Sequence, residues 1–182
     1  GKYIASGQVG ANADVCVWDF SSKKLMYRLT DHDYGITGVS FTTDEKLLAT
    51  IGNSKDKRLI IWDMSTGYIV GSHSVSGNKN HILSWGGLKK DIKKRDTKEY
   101  ILATACGSQV VLWTLDPYEG ELIAQTVHMG NITREITALT FAPDRLFLYA
   151  STTTGDFCCI QIKTGNLQAL CTVSSNGCNS LA

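Results

Sequence analysis

The chain of 182 residues has almost no net charge: 18 basic side chains against 17 acidic ones leave a formal +1. Such a balance gives no electrostatic basis for holding nucleic acid or an acidic membrane surface, so neither is expected as a partner. No stretch approaches the roughly 18 consecutive apolar residues that would cross a bilayer. The chain opens on Gly1-Lys2-Tyr3-Ile4, with no initiator Met and no apolar signal segment. That opening reads as an internal cut inside a strand, and Asn176–Ala182 reads as a strand just beginning. A fragment is therefore expected. No CxxC pair exists, and the histidines do not complete a zinc pattern, so no metal or cofactor is expected. The cysteines are Cys16, Cys106, Cys158, Cys159, Cys171 and Cys178. Most lie inside apolar runs, where a free thiol behaves as a small buried hydrophobe, and they are expected to be reduced and structural, as in an intracellular compartment.

What the chain does have is a recurring peptide. Leu59-Ile60-Ile61-Trp62-Asp63 is echoed by Val15-Cys16-Val17-Trp18-Asp19 and, without the acid, by Val110-Val111-Leu112-Trp113-Thr114. The tryptophans fall 44 and then 51 residues apart. A strand ending on Trp-Asp with a period in that range marks a β-propeller blade, here of the WD40 kind. The periodic segments are short, rich in Val, Ile, Leu, Thr, Tyr and Trp, and bounded by Gly, Asn, Asp and Ser, so they read as strands. The fold class is all-β: a partial propeller with three complete four-stranded blades and parts of two more.

The expected boundaries are about 1–30 for an incomplete blade, then 31–73, 74–127 and 128–173, with 174–182 starting the next. Turn chemistry repeats as well. Ala142-Pro143-Asp144 of the fourth blade stands where Thr42-Thr43-Asp44 stands in the second, and Thr164-Gly165-Asn166 matches Thr66-Gly67-Tyr68. An incomplete ring exposes apolar faces and strand edges, so residues 1–182 alone are not expected to make a stable monomer, and the rest of the ring is an implied partner.

One blade carries a polar set. His32 lies ahead of Ile36, and Asp56 stands six residues before Trp62. This spacing resembles that of the WD-repeat hydrogen-bond set, which implies that His32 reaches a strand hydroxyl, here Thr50, that the hydroxyl meets the Trp62 indole, and that His32 also meets Asp56. The physical need is satisfaction, since a buried indole N–H without an acceptor costs about 1–3 kcal/mol. Asp31, His32, Asp33 and Asp56 could instead serve acid–base or metal chemistry, but the blade accounts for the His and a turn accounts for Asp31 and Asp33. The remaining blades look reduced to apolar packing: Asp14 is four residues from Trp18, Gly107 stands where Asp56 would be, and Ile160 where Trp62 would be. Gly7-Gln8-Val9-Gly10 resembles a phosphate loop only superficially, since neither a helix nor a Lys-Ser/Thr pair follows.

The main departure from the repeat is residues 86–99, which hold six basic and three acidic side chains. It is expected to be a long surface loop, and Lys89, Lys90, Lys93, Lys94, Arg95 and Lys98 are candidate partner-binding residues. The alternative is a solvated insertion that touches nothing. The strands nearest the channel, Ile36–Phe41 and Ile136–Phe141, contain no charged residue, His or Cys, so an enzyme using the channel is not expected.

Ala5-Ser6-Gly7-Gln8, then Ala13-Asp14-Val15 leading into Trp18-Asp19, together with Ser151-Thr152-Thr153-Thr154-Gly155-Asp156 and Lys163-Thr164, resemble the WD-repeat family of cilia- and flagella-associated protein fifty-two. The similarity runs along nearly the whole chain in order. It implies part of the first of two tandem propellers, a microtubule inner protein that binds tubulin and other axonemal proteins in the doublet microtubules of cilia and flagella and stabilises the axoneme. It implies no catalytic residue and a cytoplasmic, cytoskeletal location. The basic segment 89–98 is longer than that family pattern. The competing reading is a WD40 adaptor outside cilia, either a cytoplasmic microtubule-associated propeller or a ubiquitin-ligase substrate receptor.

Overall fold

The computed structural model describes residues 1–181. Among these, all regular structure is β, and the chain divides into two compact units, Gly1–His81 and Ile82–Ala182. In the first unit, β1 (Tyr3–Gly7), β2 (Val15–Asp19) and β3 (Leu25–Leu29) form a three-stranded antiparallel sheet in that order. A four-stranded sheet follows from β4 (Ile36–Phe41), β5 (Leu47–Gly52), β6 (Arg58–Asp63) and β7 (Ile69–Ser74). Each strand pairs with the next in sequence, as short hairpin turns dictate.

Burial explains the sequence pattern. Every residue of β5 is buried, whereas β7 is mostly exposed. A strand covered on both faces needs apolar residues on both, so Leu47-Leu48-Ala49-Thr50-Ile51 does not alternate. The core of the first unit joins Val15, Val17 and Leu29 of the three-stranded sheet to Leu48, Ile60, Trp62 and Met64 of the other. By register, Ile4 and Trp18 pair with each other as Leu48 and Trp62 do. Yet Leu48, Trp62 and Met64 are buried, while Ile4 is 49% and Phe20 59% exposed. Ile4, Trp18, Asp19, Phe20 and Lys23 line an open cavity of about 230 Å³ on that face.

The second unit has two four-stranded sheets: β8 (Ile82–Lys90), β9 (Asp96–Cys106), β10 (Gln109–Asp116) and β11 (Glu121–Thr126), then β12 (Ile136–Phe141), β13 (Phe147–Thr152), β14 (Asp156–Gln161) and β15 (Asn166–Thr172). Ala103, Ala105, Val110 and Leu112 pack with Ile136, Leu139, Leu148, Ala150, Cys158 and Ile160 to form its core. The two sheets are also joined through main chain. His128 N–H donates to the Gly165 carbonyl at 2.7 Å, and Leu167 N–H donates to the His128 carbonyl at 3.2 Å. Residues 173–181 contain no strand; Ser174 N–H and Cys178 N–H donate back to the carbonyls of Gly155 and Thr152.

The turns show why the repeat is readable. In the β4–β5 turn, the Thr42 hydroxyl donates to Asp44 at 2.7 Å and accepts from Leu47 N–H at 3.1 Å. Gly67, at φ 75°, ends the β6–β7 turn, and a Cβ there would lie 2.6 Å from the Tyr27 ring. Both conformation and space therefore require glycine.

Residues 86–99 correct the expectation of a long loop. Strand β8 continues to Lys90 and β9 begins at Asp96, with Gly87 opposite Ile101, Leu88 opposite Tyr100 and Lys90 opposite Asp96. Only residues 91–95 turn. Register shifts at Trp85/Gly87 and Leu88/Lys90 are bulges, which kink a strand without ending it. Gly86 is required by close packing, since a Cβ there would come within 2.6 Å of Phe141.

Candidate functional site

Strands β5 and β6 bring the polar set of the second sheet together. Trp62 Nε1–H donates to Thr50 Oγ1 at 2.9 Å, and Thr50 Oγ1 lies 2.8 Å from His32 Nε2. His32 Nδ1 is 2.7 Å from Asp56 Oδ2. One assignment satisfies every atom: the Thr50 hydroxyl donates to Nε2, and Nδ1–H donates to the carboxylate. The other carboxylate oxygen of Asp56 accepts from the backbone N–H groups of Asp33 and Tyr34, at 2.8 and 3.2 Å. Gly52 makes this possible, because a Cβ there would lie 1.9 Å from Asp56 Oδ2. The set is therefore saturated internally and presents nothing to a ligand. Asp31 and Asp33 keep their side chains exposed and outside it. Among the described residues no group of three or more His, Cys, Asp or Glu side chains is arranged to hold a metal ion.

The other sheets do not rest on apolar packing alone, and here the sequence expectation is corrected. In the first sheet the buried carboxylate of Asp14 pairs with Arg28 from the neighbouring strand, which holds the guanidinium above its ordinary pKa. In the fourth, buried Asp156 pairs with Arg134 and accepts from Thr172 Oγ1 at 2.8 Å and Thr154 Oγ1 at 2.9 Å. The Thr172 and Thr154 hydroxyls, and then Arg134, hold this carboxyl below the usual range. The third sheet has an indole bond of the same kind, Trp113 Nε1–H to Thr104 Oγ1 at 2.8 Å. A signal for the two Arg–Asp pairs was present: Asp14 and Asp156 both stand four residues before the Trp18 or Ile160 position. Their arginines lie 14 and 22 residues away, too far for local spacing to reveal.

The glycine stretch at Gly7 and Gly10 is tied to its neighbours. Asn12 N–H donates to the Asp33 carbonyl and Ile36 N–H to the Gln8 carbonyl. The Cys158 thiol is buried, and desolvation pushes its pKa to about 11, so it is protonated and unreactive at neutral pH.

The basic candidates separate into two groups. Lys89 pairs with Glu99 at 2.9 Å, Lys90 with Asp96 at 2.8 Å, Arg95 with Asp91 at 2.8 Å and Lys98 with Asp116 at 2.9 Å. Arg145 braces the same hairpin, meeting Asp96 at 3.0 Å and donating to the Leu88 carbonyl at 2.9 Å. Lys93 and Lys94 stand at the tip, exposed, and neither has an ion-pair partner among the described residues.

Known proteins match this chain at three levels. The model of the WD domain, G-beta repeat, matches residues 23–63, a span that contains His32, Thr50, Asp56 and Trp62 and is offset by one strand from the sheet they occupy. Cilia- and flagella-associated protein 52 of Chlamydomonas reinhardtii is 28% identical over 159 residues, which is 86% of this chain and 24% of that protein. The protein of the same name from Sus scrofa is 29% identical over 160 residues, 86% of this chain and 25% of that one. Centriole proteome protein 16 of Chlamydomonas reinhardtii is 27% identical over 158 residues, 81% of this chain and 7% of that one. The chain thus spans about a quarter of the length of the first two.

Among solved structures, the Cps50 (Swd1) β-propeller domain of Myceliophteria thermophila superposes with a TM-score of 0.72 at 18% identity, covering 97% of this chain and 53% of that one. The computationally designed protein Ika8 gives 0.73 at 19%, covering 100% and 50%. The fold is therefore that of a β-propeller, and the four sheets correspond to about half of each matched chain.

Proposed function

We propose that this chain, a WD-repeat propeller segment similar to cilia- and flagella-associated protein 52, is a non-catalytic structural scaffold of the ciliary axoneme. In this reading it works as a microtubule inner protein, holding tubulin and neighbouring axonemal proteins within doublet microtubules and stabilising them. The carrying observation is similarity over 86% of the chain to relatives named for cilia and flagella. The saturated polar sets agree with it, since they rigidify blades and offer no group for chemistry. Partners then bind through surfaces that project from a stiff frame.

The test is localisation of the tagged full-length protein in ciliated cells, followed by extraction of isolated axonemes. Signal along the axoneme that resists detergent and high salt is the expected result. Diffuse cytosolic signal overturns the reading. A second reading, a microtubule-associated role at the centriole, draws on the similarity to centriole proteome protein 16. Signal confined to the ciliary base would select it.

A further inference from the structure

The β8–β9 hairpin is the part of the second unit built beyond what its sheet requires. Strands β8 and β9 have 9 and 11 residues, where the corresponding β12 and β13 have 6 each. At about 3.3 Å per residue, three extra residues carry β8 roughly 10 Å further. The extension is not loose. Cross-strand pairs Lys89–Glu99 and Lys90–Asp96 fasten it, Thr97 Oγ1 donates to the Lys89 carbonyl at 3.0 Å, and Arg145 clamps its base.

Asp91 then fixes the tip. Its side chain accepts from Lys93 N–H at 2.8 Å and Arg95 N–H at 2.9 Å, and pairs with the Arg95 guanidinium. The Asp91 backbone closes the turn, exchanging bonds with Arg95 and Lys94, and Lys94 takes φ 61°. This turn holds out Ile92, which is 86% exposed, beside Lys93 and Lys94. Elsewhere on the hairpin the basic charge is neutralised within the sheet. What sets Ile92 apart is its setting: a branched apolar side chain held out on a fixed turn and flanked by two uncompensated ammonium groups is complementary to one kind of surface.

We infer that residues 91–95 form a preorganised docking tip, in which Ile92 enters an apolar depression on a partner protein while Lys93 and Lys94 meet carboxylates around its rim. The partner is an acidic protein surface. The inference rests on the scaffold reading only in taking the partner to be a protein. Because Asp91 sets the backbone before contact, little ordering entropy opposes binding, and the two lysines add an attraction that salt weakens.

The test uses the full-length protein and two immobilised probes, poly-glutamate and a random glutamate–tyrosine copolymer, at several salt concentrations. K93E/K94E is expected to lose about tenfold in affinity for both probes. I92S is expected to lose affinity for the copolymer and to bind poly-glutamate as before. The charge-matched K23E/K24E should bind both normally, and unchanged melting temperatures should show that all variants fold. D91A supplies the sharpest outcome: it makes the protein more positive while releasing the tip, and weaker binding is expected. Tighter binding by D91A, equal loss in K23E/K24E, or no binding by the parent protein would each overturn the inference. None of these outcomes bears on axonemal localisation, which separately decides the scaffold reading.

Discussion

The guanidinium of Arg134 is ion-paired to the carboxylate of Asp156, and two threonine hydroxyls donate to the same acid, Thr154 to the oxygen that Arg134 meets and Thr172 to the other. The Asp156 carboxyl is held below its ordinary pKa of 3.8 by Thr172 and Thr154 first and Arg134 after them. A depressed folded pKa stabilises the fold above the unfolded value, and that stability disappears as pH falls through the folded pKa. Acid melts of the full-length protein should therefore steepen below pH 3.8. D156N should lower the melting temperature at neutral pH and flatten that acid limb. R134M should have the smaller effect, because its side chain is half exposed and screened. An acid limb identical in D156N and parent would refute the assignment.

Thr50 is the hinge of the second sheet's polar chain, touching both Trp62 and His32. T50V keeps the shape and removes both bonds, so urea denaturation should show a loss of about 1–3 kcal/mol. T50S should recover most of it. T104V removes only the Trp113 bond and should cost nearer 1 kcal/mol. Equal losses for T50V and T104V would mean that His32 contributes nothing through Thr50.

His81 is 5% exposed, and its Nε2 has no hydrogen-bond partner among the described residues. Burial first, and then the nearby charge of Lys57, lower its pKa below 6.5. The folded state resists protonation that the unfolded chain accepts, so stability is full above pH 6.5 and declines as pH drops toward the folded value. Thermal melts at pH 7.5 and at about pH 5.5 should differ less in H81L than in the parent protein. An unchanged difference in H81L would place the pH dependence elsewhere.

Ile4, Trp18 and Phe20 form an uncovered apolar face where their counterparts Leu48, Trp62 and Met64 are buried. A polypeptide of residues 1–182 by itself should therefore associate. Light scattering should report a mass above 19.9 kDa, and F20E should bring it down. A sharp two-state melt from a monomer would contradict this.

The fold was legible because blades repeat local chemistry. Trp62, Thr50, His32 and Asp56 could be placed because their spacing resembles the WD-repeat hydrogen-bond set, and the turns at Asp44 and Gly67 announced themselves by residue type. The basic hairpin was not legible. Gly86-Gly87 followed by lysines looks like a loop, whereas the glycines make bulges and room for Phe141. Its strand character lies in cross-strand pairs such as Lys90 with Asp96, which appear only once the register is known. The Arg28–Asp14 and Arg134–Asp156 pairs escaped for the same reason: arginine is long enough to reach a carboxylate from another part of the chain, and no short motif records it.

The bridge in which His128 bonds both Gly165 and Leu167 involves only main-chain atoms. Such a seam is indifferent to which side chains stand there, so drift in sequence at positions 128 and 165–167 need not part the two sheets, provided Gly165 keeps its φ of 66°. It also bears load differently from an apolar contact. Its two hydrogen bonds are directional, whereas the apolar contacts between the same sheets are not. For a protein proposed to live inside a beating filament, that seam is where resistance to repeated bending would be built.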